Sequence, residues 1–88
     1  MKYSYQQIQE SDDRIWKLFE NRCVMCGKSA HSIHEIRPRS LDVNWLRDEN
    51  RVTLCILCHN DIHRVGTKHS VKQLSDKRNE WVKNHGRQ

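Results

Sequence analysis

Four cysteines stand in two C-x-x-C pairs, Cys23/Cys26 and Cys55/Cys58, with 28 residues between the pairs. Two thiolates on one tight turn can reach the same ion, and two such pairs supply the four ligands of a tetrahedral zinc site. A single pair at a strand-helix junction would suit dithiol redox chemistry instead, but a second pair of the same kind argues for a metal. Four inert buried thiols are the remaining alternative, and paired spacing in so short a chain argues against them. A second set of ligating side chains follows directly: His59 and His63 are four residues apart. On a helix they project from one face about 6 Å apart, so both imidazoles can converge on a single metal or phosphate. His34 and Asn50 lie between the cysteine pairs. Taken alone, each is an ordinary surface histidine or a turn residue.

The elements that must position these groups can be read from the apolar pattern. Ser11-Asp12-Asp13 precedes Ile15, Trp16, Leu18 and Phe19, which predicts a capped amphipathic helix over about residues 11–22. It delivers the chain to the turn Cys23-Val24-Met25-Cys26-Gly27, where glycine permits the tight backbone around a metal. His31 to Arg37 reads as a short strand stopped by Pro38. Arg39 to Asn50 reads as a loop in which Leu41, Val43, Trp45 and Leu46 turn inward, and Arg51 to Leu54 as the returning strand. Ile56, Leu57, Ile62 and Val65 predict a helix from Ile56 to Val65 that stops at Gly66. Ser70 then caps a last helix over about residues 70–84, whose Val71, Leu74, Trp81 and Val82 are expected to pack on the first. The expected architecture is one α+β domain over residues 1–88.

Composition limits the choices further. The chain has 88 residues, 35% of them hydrophobic and 31% charged. A core that small offsets chain entropy poorly and needs a staple, which zinc would supply. The segment from Met1 to Glu10 is polar and has no apolar run of the kind that directs export. Reduced thiols in a soluble cytoplasmic protein are therefore expected rather than disulfides, with no membrane association. The net charge is +5, and the excess lies in residues 51–88, which carry eight Lys/Arg against three Asp/Glu. A polyanion fits that balance as partner, although a solvated basic face would look the same.

The run Ile33-His34-Glu35-Ile36-Arg37-Pro38-Arg39-Ser40, followed by Asn50-Arg51-Val52-Thr53-Leu54-Cys55-Ile56-Leu57-Cys58-His59-Asn60-Asp61-Ile62-His63, resembles the HNH endonucleases. The likeness is to their zinc-finger-bearing branch, common in phages and mobile elements, and covers about residues 23–63. It implies a small zinc-stabilised, treble-clef-like ββα-metal core with flanking helices. It also implies a DNA endonuclease that hydrolyses phosphodiester bonds through one divalent ion, Mg2+, Mn2+ or Ni2+, beside a structural Zn2+. By the same resemblance His34 and His59 are ligands of that ion, His63 supplements them, and Asn50 braces the loop and helps orient the base. DNA is the implied partner, and a phage or mobile-element protein is a possible second one.

One position departs from the family pattern. Glu35 stands where the general-base histidine is usual. A carboxylate can accept a proton but is a weaker base than imidazole by about two pH units, so Glu35 is expected to act as the base, or to join the metal while another group takes the proton. His31 is three residues from His34 and would face the other side of a strand, as an ordinary exposed side chain. Arg37, Arg39, Arg47, Arg51 and Arg64 surround the motif and are expected phosphate contacts, with solvated surface as the competing explanation. The other function open to this sequence is a non-catalytic zinc-finger DNA-binding or adaptor module that keeps the fold. A zinc-ribbon interaction module would leave His34, Asn50 and His59 without a purpose.

Overall fold

The computed structural model describes residues 3–86. Its first helix, α1 (Tyr5–Leu18), begins earlier than the sequence pattern suggests. Ser4 caps it: the Ser4 hydroxyl accepts from the Gln7 amide at 3.1 Å, and the Gln7 side chain accepts from the Ser4 amide at 2.8 Å. This reciprocal box satisfies two of the donors a helix start leaves open. Ser11, expected as the cap, is instead a fully buried residue inside the helix, its hydroxyl donating to the Leu46 carbonyl. The helix ends at Phe19, and Glu20 and Asn21 follow with positive φ, which turns the chain toward the first cysteine pair.

Gly27 has φ +81°, and a Cβ there would meet nothing within 4 Å. The requirement for glycine after Cys26 is therefore conformational rather than steric. The turn is closed by the Gly27 amide on the Cys23 carbonyl and anchored by the Val24 amide on the Thr53 carbonyl. Those bonds seat the first cysteine pair beside the strand that leads to the second.

β1 (Ser32–Glu35) is shorter than expected and pairs antiparallel with β2 (Arg51–Leu54). The register sets His34 opposite Val52 and Glu35 opposite Arg51. In the connection between them Trp45 and Leu46 are buried as expected, whereas Leu41 and Val43 are exposed. Asn50 closes this long loop from within. It accepts from the Arg37 amide and donates to the carbonyls of Arg37 and Trp45, at 2.7–3.1 Å.

α2 (Ile56–Val65) starts inside the second cysteine pair and ends at Gly66, whose φ of +110° suits glycine. A short 3-10 turn (Thr67–Ser70) intervenes before α3 (Val71–Trp81), which is followed by a single π turn. The Ser70 hydroxyl donates to the Gly66 carbonyl and does not cap α3. The last helix does meet the first. Trp81 donates its indole N–H to the Leu18 carbonyl at 3.1 Å, and its ring lies 5.8 Å from that of Phe19. Ile15, Phe19, Ile36, Val52, Leu54, Ile62 and Leu74 form the core, joined by Cys23 and Cys55. No helix among the described residues is long and apolar enough to cross a membrane.

Candidate metal centre

The four sulfurs of Cys23, Cys26, Cys55 and Cys58 lie within 4.8 Å of one another. None is in a disulfide. Sulfurs about 2.3 Å from a tetrahedral zinc stand about 3.8 Å apart, and Cys26 Sγ and Cys55 Sγ are 3.6 Å apart. The donors fit zinc in both type and spacing. Local electrostatics agree: the Cys58 amide, donating to Cys55 Sγ, lowers the Cys55 thiol to about 7, while burial and the adjacent Cys55 sulfur push Cys58 well up. Thiolates crowded this closely repel each other, and a divalent cation removes the conflict.

A second cluster sits beyond the first turn of α2. One ring nitrogen each of His34, His59 and His63 lies within 4.8 Å of the others. His34 comes from β1 and is 7% exposed; His59 and His63 come from one face of α2. The Nε2 atoms of His59 and His63 are 3.0 Å apart. Nitrogens about 2.1 Å from one ion stand about 3.0–3.4 Å apart, so the spacing suits shared ligation. His34 Nε2 is buried with no hydrogen-bond partner. A native protein rarely leaves such an atom unsatisfied, and an ion at this point would satisfy it.

The electrostatics favour neutral rings at His34 and His59. Burial, followed by the charges that His59 and His63 would carry, lowers His34 to about 4. Burial and the neighbouring His63 and His31 also lower His59. A neutral imidazole offers the lone pair that a metal requires. His31 is exposed, as the sequence suggests, yet close enough to His59 to influence its charge.

These histidines line an open cleft of about 300 Å³ with Glu35, Arg39 and Thr67. Glu35 is thus at the site but outside the cluster of ligand atoms. Its Oε1 faces Arg39 Nε and its Oε2 faces Arg51, both at 3.4 Å. A larger cleft of about 570 Å³ lies against α1, lined by Tyr3, Gln7, Glu10 and Arg14 among others. Arg14 there is paired with Asp48, and among the described residues the cleft brings no ligating cluster together.

The expected phosphate contacts divide. Arg37 and Arg39 are exposed, as is Arg64, which pairs with Asp61 on its own helix. Arg47 is exposed and paired with Asp42. Arg51 must be corrected: its side chain is 4% exposed, with one guanidinium nitrogen 2.7 Å from Asp12 and the other facing Glu35. The first nitrogen also donates to the Ser11 hydroxyl at 2.8 Å. A guanidinium enclosed by two carboxylates and a hydroxyl is an internal tie between α1 and the sheet, unavailable to a phosphate. Two residues at the site were not singled out from sequence. Thr67 lines the cleft, and Ser32 holds His59 through a 3.1 Å contact to Nδ1. A signal for Ser32 existed, since it lies two residues from His34 and so shares its strand face.

No family model matches the chain, and no solved structure matches it. Over 53 residues it is 36% identical to a mitochondrial DNA mismatch repair protein, a MutS homologue of Sarcophyton glaucum. The match covers 54% of this chain and 5% of that protein.

Proposed function

We propose that the chain is a metal-dependent DNA endonuclease of the HNH kind. In this reading β1, β2 and α2 form a ββα-metal unit, with a structural zinc in the cysteine cluster and a second divalent ion held by His34, His59 and His63. The convergence of those three imidazoles, one of them with a buried unsatisfied nitrogen, carries the proposal. A set of three imidazoles favours Ni2+ over Mg2+ and Mn2+, which prefer oxygen ligands and would draw more on water and phosphate oxygens at the open positions.

Such an ion stabilises the charge that builds on the scissile phosphate and on the leaving oxygen. The protein's own groups supply the rest. Glu35 is the only carboxylate lining the cleft among the described residues. The 3.4 Å contact to Arg39 is long for a charged pair and that arginine's side chain is exposed, so Glu35 Oε1 can exchange it for water and accept the proton of the attacking water. Arg39 at the cleft wall and the exposed Arg37 and Arg64 meet flanking phosphates. Asn50 holds both ends of the loop that carries Arg37 and Arg39, fixing where those cations stand. DNA as the polymer is supported by the basic second half of the chain and by likeness to part of a protein named for DNA mismatch repair.

The test is incubation of supercoiled plasmid with zinc-loaded protein and added Mn2+ or Ni2+. Nicked or linear product that EDTA abolishes is expected, with loss of cutting in His34→Ala and His59→Ala at unchanged zinc content. Wild-type rates in both variants would reject the ligand positions. One observation favours a second reading, a zinc-stabilised DNA-binding module without catalysis: both oxygens of Glu35 face arginines. That reading predicts DNA binding with no product under any metal.

A further inference from the structure

Ser32 and His34 are two residues apart on β1 and share one face of the strand. His34 enters the histidine cluster, and the Ser32 hydroxyl lies 3.1 Å from Nδ1 of His59. A neutral imidazole carries one hydrogen, and the partner of one nitrogen decides what the other can do. If Nδ1 of His59 bears the hydrogen and donates it to Ser32, then Nε2 keeps its lone pair and points into the cluster. The 3.0 Å contact between the two Nε2 atoms needs one hydrogen, which His63 then provides.

We propose that Ser32 is a positioning residue that holds His59 in its Nδ1-protonated form and so prepares the three-histidine site for a divalent transition metal. The proposal rests on the reading of His34, His59 and His63 as metal ligands. Serine suits the task because its oxygen accepts from Nδ1 while its own hydrogen remains free to rotate to another acceptor. It also restrains the ring's rotation, joining the strand ligand to the helix ligands. Partners of this kind typically contribute about 10- to 100-fold to metal affinity.

The experiment has two arms, both on the zinc-loaded 88-residue chain. Imidazole 15N shifts, recorded with no second metal added, are expected to show His59 protonated at Nδ1 and unprotonated at Nε2. Ni2+ titration by calorimetry is then compared for wild type, Ser32→Ala and Ser32→Thr. Affinity is expected to fall about 10- to 100-fold in Ser32→Ala and to stay near wild type in Ser32→Thr, which keeps the hydroxyl and suits a strand. Zinc content and helical circular dichroism should be the same in all three, which separates positioning from folding. Unchanged Ni2+ affinity in Ser32→Ala, or His59 protonated at Nε2, would overturn the role of Ser32 alone. Ni2+ binding by wild type that His59→Ala leaves intact would overturn the ligand reading, and this proposal with it.

Discussion

In the proposed nuclease, Glu35 is where a single side chain would decide the chemistry. It lines the cleft, yet Arg39 and Arg51 face its two oxygens. If it accepts the proton of the attacking water, Glu35→Gln keeps the shape and removes the basicity. Cleavage should then fall by about 10²-fold or more, with Ni2+ affinity unchanged because Glu35 is outside the ligand set. Equal cutting by Glu35→Gln would move the proton acceptor elsewhere. His34 yields a separate prediction without a second metal. Its folded value of about 4 lies below the ordinary 6.5, so the unfolded chain binds the proton more tightly. The stability His34 contributes is whole above about pH 6.5 and is lost as pH falls toward 4, by at most about 3 kcal/mol. Urea midpoints at pH 7.5 and 5 should therefore differ more in wild type than in His34→Gln, and equal slopes would contradict the assignment.

At the scale of elements, the loop between the strands depends on Asn50. It is 2% exposed and bonds three backbone groups. Asn50→Ala would leave those groups without their partner, at a cost of about 2 kcal/mol or more. A fall of about 10 °C or more in melting temperature is expected for a domain this small, and a shift of only a degree or two would be inconsistent with the brace. Local signals made β2, α2 and the Gly27 turn legible in the sequence, because helix stops and tight turns are set by nearby residues. The start of α1 was misplaced because Ser11-Asp12-Asp13 has the composition of a cap, while Ser4 and Gln7 form the cap itself. Composition cannot show that Ser11 is buried against Leu46 and Arg51, 35 and 40 residues away. Arg51 departs from its expected phosphate contact for the same reason: its partners Asp12 and Glu35 become neighbours only through tertiary packing. The histidine cluster was legible because i,i+4 spacing joins His59 to His63 and the family resemblance supplied His34. The spacing places Ser32 on the strand face of His34, but its role is not legible from that, since a serine there can do many things until a ring nitrogen is seen next to it.

In the whole molecule, α2 connects the two clusters: Cys55 and Cys58 are at its start and His59 and His63 follow on the next residues. The core holds few large apolar side chains, and two of the zinc-type ligands, Cys23 and Cys55, are part of it. Metal binding should therefore contribute directly to folding. Complete zinc removal by a strong chelator should abolish helical circular dichroism, and its full retention would contradict that dependence. On the proposed reading this chain builds two metal centres with separate tasks, one structural and one reactive. Anomalous diffraction from crystals of zinc-loaded protein grown with Mn2+, recorded at both metal edges, distinguishes them. A zinc peak among Cys23, Cys26, Cys55 and Cys58 and a manganese peak within ligand distance of His34, His59 and His63 is the predicted result. Manganese bound elsewhere, with the three histidines ligating nothing, would contradict it.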